Sequence, residues 1–173
     1  MKLQTRLSLK VALLGAGLLQ TVGTSHAFTQ NTTATFHVGA TIVAQCIINS
    51  TTDLSFGTGV GVIAADINQT FSNVLSVQCT NSTAYAIGLS AGLGATATVA
   101  ARQMTGPGSA TVTYALYQDS GYSTVWGTTP ATDTVGATGN GAPQTYTIYG
   151  KVPTQTTPAP GAYQDTITVT VYY

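Results

Sequence analysis

The sequence predicts an all-β sandwich, and three observations predict it. Short segments that alternate apolar and polar residues recur along the chain between Gly-, Thr- and Pro-rich breaks. Those segments are rich in β-branched and aromatic residues, which suit a pleated and half-buried surface. No stretch beyond the first 27 residues sustains a helical period.

The elements follow in order. Lys2, Arg6 and Lys10 give a basic start, residues 11–19 are an uncharged apolar run, and Ser25-His26-Ala27 supplies small residues for cleavage before Phe28. This pattern predicts a secretory signal peptide over residues 1–27. The run is too short for a membrane span, which takes about 20 residues. Removing 27 of 173 residues leaves 146, the size of one ordinary domain.

Next comes a near-perfect alternation: Ala34, Phe36, Val38, Ala40, Ile42, Ala44 and Cys46 are apolar, with Thr35, His37, Gly39, Thr41 and Gln45 between them. The period of two predicts a strand with one apolar face, ending at Cys46. Further strand segments are expected around Leu54 and Phe56; Leu75, Val77 and Cys79; Tyr85, Ile87 and Leu89; and Val112, Tyr114 and Leu116. Val125-Trp126, then Tyr146, Ile148 and Val152, and finally Ile167, Val169, Val171 and Tyr173 complete the set. Residues 91–109 and 127–143, rich in Gly, Ala and Thr, are expected to be loops, with Asn140-Gly141 a tight turn.

Without the leader, only Arg102 and Lys151 face Asp53, Asp66, Asp119, Asp133 and Asp165, a net charge of −3. Two isolated cations cannot form the basic patch that a phosphate backbone demands, so nucleic-acid binding is not expected. Cys46 and Cys79, an even count in an exported chain, predict one disulfide. A zinc site would need two more ligands, and His37 is the only histidine beyond the leader. His37 lies opposite the apolar face and reads as a solvated strand residue, not a catalytic base. The sequence holds no His-Glu-x-x-His pair or P-loop. Gly57-Thr-Gly59-Val-Gly61 precedes no helix, which removes a dinucleotide loop. No catalytic, cofactor-binding or metal-binding residue is assigned, and the five Asp are read as turn residues. Trp126 and the nine tyrosines raise a carbohydrate-binding alternative, against which core packing is the simpler account. Asn-x-Thr sequons begin at Asn31, Asn49, Asn68 and Asn81, as chance allows in a Thr-rich chain.

Several short motifs in order carry a resemblance. They are the residues leading to Cys46, Leu54-Ser-Phe-Gly57, Val77-Gln-Cys79-Thr-Asn81, Arg102-Gln-Met104, Tyr114-Ala-Leu-Tyr-Gln-Asp119 with Thr124-Val-Trp-Gly127, Tyr146-Thr-Ile-Tyr-Gly-Lys-Val-Pro153, and Pro160-Gly-Ala-Tyr-Gln-Asp-Thr-Ile-Thr-Val-Thr-Val171. Each is weak alone, but together the chain resembles the spore coat protein U domain family, which includes subunits of archaic chaperone–usher pili of the Csu type. Residues 58–70 match least and are expected to form a variable loop.

The resemblance implies an immunoglobulin-like β-sandwich lacking its final strand, within a single domain over residues 28–173. The missing strand leaves a hydrophobic groove edged by the C-terminal strand, here Ile167, Val169, Val171 and Tyr173. The groove would be filled first by a periplasmic chaperone and then, at an outer-membrane usher, by the N-terminal strand of another copy or a related pilin. In this chain the donor would be residues 28–45, with Ala34, Phe36, Val38, Ala40 and Ile42 pointing inward; the alternative is that this segment folds back and completes its own domain. The implied role is a surface fibre, assembled in the periplasm and displayed outside the cell for adhesion and biofilm formation. No cofactor and no membrane embedding are implied. A secreted spore-coat or matrix protein of the same fold is the alternative, and a carbohydrate-binding adhesin is a third, less favoured, class.

Overall fold

The computed structural model describes residues 30–173, so the leader expected over residues 1–27 lies outside the described residues. The chain divides into two units, Met1–Ala40 and Thr41–Tyr173. In the first, residues 30–40 carry no regular element and are exposed.

The second unit is built from eight strands in two antiparallel sheets. The larger sheet contains β1 (Cys46–Thr51), β2 (Ile67–Cys79), β4 (Arg102–Thr105), β5 (Thr111–Tyr117) and β7 (Gln144–Val152) in the order β1-β2-β7-β5-β4. The smaller contains β3 (Ala84–Leu89), β6 (Val135–Thr138) and β8 (Val169–Tyr172) in the order β6-β3-β8. Alternation does its expected work in the central strands: Val112, Tyr114 and Leu116 of β5 and Tyr85, Ile87 and Leu89 of β3 are buried. They pack with Leu75, Val77, Ile148 and Val152 into one core.

Several elements differ from the sequence expectation. The alternating residues 34–44 are not a strand here, and Cys46 opens β1 instead of closing an earlier strand. A strand is held by hydrogen bonds to a neighbour, and the alternating segment has no ladder among the described residues. β2 begins at Ile67, so the last residues of the expected variable loop belong to a 13-residue strand. It stays continuous through a bulge between Phe71 and Leu75, where Asn73 takes the left-handed conformation at φ 57°, one that Asn tolerates. Short strands β4 and β6 interrupt the two expected loops. Leu54 and Phe56 lie in no strand, yet both pack against the core. Val125 makes only a single bridge, to Tyr117. The last strand shortens to four residues, which leaves Ile167 before it and Tyr173 exposed after it.

Two long side chains fix the interior. Trp126 is buried and its Nε1–H donates to the Ile87 carbonyl at 2.7 Å, which removes it as a surface platform for sugars. Arg102 is 0% exposed. Its guanidinium donates to the carbonyls of Ser90 (2.8 Å), Val99 (2.7 Å), Leu89 (2.9 Å) and Trp126 (2.6 Å). It thereby ties the end of β3 to two loops.

Candidate functional site: an open groove along the last strand

β8 pairs with β3 along one edge, and its other edge has no ladder among the described residues. Beside that edge opens a groove of about 1500 Å³. Ile167 and Val169 line one wall, Leu54, Phe56 and Ile63 the other, and the core residues Leu75, Leu116 and Ile148 the floor.

The second wall is unusual in its backbone. After Thr52 N–H donates to the Val74 carbonyl at 2.8 Å, residues 53–61 make no backbone–backbone hydrogen bond among the described residues. The chain is recaptured where Ile63 N–H donates to Thr157 Oγ1 at 2.8 Å. Both walls of the groove therefore carry backbone groups without a strand partner among the described residues, and between them lies an apolar floor. Backbone polar groups in such positions are a template for pairing with another strand.

Aromatic rings shape the interior of the wall. Phe56 sits edge-to-face with Phe71 at 5.6 Å and with Tyr114 at 5.9 Å. Gly150 makes this possible, because a Cβ there would lie 2.7 Å from the Phe71 ring and 2.8 Å from that of Phe56. Among the polar residues that line the groove, Tyr114 donates its hydroxyl to Asp165 Oδ2 at 2.8 Å, while Leu93 N–H donates to Asp165 Oδ1 at 2.8 Å. Burial, then the Asp165 carboxylate, pushes the Tyr114 hydroxyl well above its ordinary range, so it stays a donor. Gly92, at φ +87°, leaves room for this carboxylate; a Cβ there would fall 1.9 Å from Asp165 Oδ2.

The expected site residues divide into three groups. Of the C-terminal set, Ile167, Val169 and Val171 are half-buried against the core, and Ile167 and Val169 line the groove, whereas Tyr173 is 63% exposed. Of the N-terminal set, Phe36 and Val38 are 85% and 87% exposed and Ile42 is 81% exposed; Ala34 and Ala40 are exposed too. Cys46 and Cys79 form the disulfide, directly opposite each other in the β1–β2 ladder. Sequence reasoning missed the wall at residues 53–63, the Tyr114–Asp165 pair and the buried Arg102. The Arg-Gln-Met motif was the one signal that pointed toward the last of these.

No cluster of three or more His, Cys, Asp or Glu suited to a metal occurs among the described residues. Nor is any helix among them long and apolar enough to cross a membrane.

The family model described as Spore Coat Protein U domain matches residues 32–170. Among curated proteins, none matches. The fold is similar to a chain in the crystal structure of the CsuC–CsuE chaperone–tip adhesion subunit pre-assembly complex, from the archaic chaperone–usher Csu pili of Acinetobacter baumannii. The two share 22% identity at a TM-score of 0.53, over 77% of this chain and 41% of that one. This chain thus spans well under half the length of the chain it matches.

Proposed function

The chain belongs to the Spore Coat Protein U domain family, and we propose that it is a structural subunit of a surface pilus, assembled by strand donation between successive subunits. The observation that carries the reading is the groove: an apolar floor between two walls whose backbone groups have no strand partner. The same chain presents, in residues 34–44, a segment with the two-residue period of a strand and exposed apolar side chains.

Strand addition to an exposed sheet edge is a general recognition mode, of which chaperone–pilin complementation is a known instance. In this reading a periplasmic chaperone lends a strand to the groove of the newly exported subunit. At an outer-membrane usher the donor segment of the next copy, or of a related pilin, replaces it. Phe36, Val38 and Ile42 then enter the groove, with Ala34 and Ala40 between and beside them, while His37 stays outside. Burying the three large side chains contributes about 1.5–3 kcal/mol each before ordering costs. An unfilled groove and an exposed donor would drive aggregation, which is why a chaperone is needed. The leader would direct export to the periplasm, and the finished fibre would serve adhesion and biofilm formation outside the cell. The role is structural and needs no cofactor.

The period of two supplies the test. Phe36→Asp and Val38→Asp are expected to block fibre formation while the subunit still co-purifies with its chaperone, because its groove is intact. His37→Asp is expected to assemble normally. Loss of the chaperone-bound subunit in the first two variants would instead mean that the segment completes its own domain.

A further inference from the structure

Trp126 is buried, but a separate aromatic group lies on the outward face of the larger sheet. Tyr117 of β5 and Tyr149 of β7 stand opposite each other in the ladder, on the side away from the buried Leu116 and Ile148. Tyr122 folds onto them from the turn after β5: its ring sits edge-to-face with Tyr117 at 5.7 Å and with Tyr149 at 6.4 Å. All three are half-buried, and none belongs to the hydrophobic core. Lys151, on the same face as Tyr149, pairs with Asp66 at 2.6 Å. The Asp66 carboxylate foremost, and more weakly Tyr117 and Tyr122, raise the Lys151 ammonium above its ordinary value, which sets that ammonium beside the rings. Asn68 of β2, opposite Lys151 in the ladder, is exposed next to them.

Tyr122 is held in place at a cost. Its φ of 54° is unfavourable for a bulky side chain. The Asp119 carboxylate imposes it, accepting from the N–H groups of Gly121 at 3.0 Å, Ser123 at 3.2 Å and Thr124 at 2.7 Å. Backbone strain of this kind gathers where a side chain must be presented to a ligand.

We propose that Tyr117, Tyr122 and Tyr149, with the Lys151–Asp66 pair and Asn68 at their margin, form a binding site for neutral carbohydrate on the side of the subunit. A pyranose ring offers a face of C–H bonds, which packs against the electron-rich face of an aromatic ring, and a rim of hydroxyls that each donate and accept. Lys151 donates, Asp66 accepts and Asn68 does both, so the margin matches that rim. Charge selects the class of sugar. The cation is already matched by Asp66, and the chain beyond the leader carries a net charge of −3, so an acidic glycan meets no free cation and a subunit of its own sign. An apolar partner would bury Lys151, Asp66 and Asn68 without replacing their water. The inference stands apart from strand donation, because none of these residues lines the groove.

The test uses the full-length exported chain with isotope-labelled tyrosine rings. The probes are a panel of neutral oligosaccharides of glucose, galactose, mannose and N-acetylglucosamine, with oligogalacturonate as the acidic comparison. At least one neutral oligosaccharide is expected to shift the ring resonances of Tyr117, Tyr122 and Tyr149 while leaving that of Tyr163 in place. Tyr122→Ala is expected to weaken that binding about ten-fold, whereas Tyr122→Phe, which keeps the ring, stays within about two-fold of the parent chain. Asp119→Ala, a change in a positioning residue, is expected to weaken it as well by releasing the turn. No shift of these rings with any neutral probe would overturn the site, as would binding that survives Tyr122→Ala unchanged. Tighter binding of oligogalacturonate than of every neutral probe would overturn the assignment to neutral sugar.

Discussion

Arg102 carries a full charge into the interior with only backbone carbonyls around its head group. Burial pulls it below the ordinary arginine value, and Tyr114, Asp165 and Asp133 offset this from a distance. Its four carbonyl partners, on Leu89, Ser90, Val99 and Trp126, come from three separate places in the chain, and the forked guanidinium serves them together. Lys carries three donors against four carbonyls, so Arg102→Lys would leave at least one buried carbonyl unpaired. The expected loss is about 3 kcal/mol, read from the urea midpoint of the subunit. Asp119 shows a gentler version of the same logic at the surface. Its carboxylate accepts from Thr124 N–H at 2.7 Å, and from the N–H groups of Ser123 and Gly121, closing a turn in which Tyr122 is held at φ 54°. These bonds, that from Thr124 foremost, hold Asp119 below its ordinary value of 3.8. Their contribution is complete above that value and lost as pH falls through the lower folded value. The amide resonances of Ser123 and Thr124 should therefore move together below pH 3.8, and Asp119→Asn should abolish the step.

At the scale of the elements, β8 is short because it pairs on one side only, yet it sets one wall of the groove. Val169 stands opposite Leu89 in the ladder and lines the groove. Val169→Asp would set a carboxylate against an apolar floor, a cost of several kcal/mol. The expected result is loss of periplasmic subunit and of its chaperone complex; normal amounts of both would show that this wall tolerates charge and is not covered by a partner strand. The central strands β3, β5 and β7 were legible in the sequence because one face of each packs into the shared core, so alternation survives in Tyr85-Ile87-Leu89 and Val112-Tyr114-Leu116. Edge strands leave a fainter trace. β4 and β6 are four residues each, and pairing with distant partners, not their own Gly- and Thr-rich composition, makes them strands. The opposite failure occurred at Leu54 and Phe56, whose apolar spacing is that of a strand. Their side chains pack against the core, but their backbone has no neighbour to bond. That unpaired stretch is the groove wall, so the least strand-like part of the chain was also the least legible part of the site.

For the molecule as a whole, the groove and the proposed donor segment are formed by separate residues of one chain, and this separation gives the proposed fibre a direction. A subunit whose donor is disabled but whose groove is intact can still receive a strand from the next copy, while it can give none to a preceding one. It can occupy only the first position of a fibre, with every later position closed to it. Phe36→Asp creates such a subunit, because the charge falls on the donor's apolar face and leaves the groove lining unchanged. Co-expressed with the parent chain and carrying a small epitope, it is expected to appear at one end of each fibre and nowhere else, as seen by immunogold labelling. Raising its share of the subunit pool should increase the number of fibres started and shorten them in proportion, since each copy opens a new chain without extending one. His37→Asp, carrying the same epitope, should decorate fibres along their length, because His37 lies on the outward side of the segment. Epitope along the whole fibre in the Phe36→Asp mixture would mean that subunits are joined through some other part of the chain, and the donor assignment would fall.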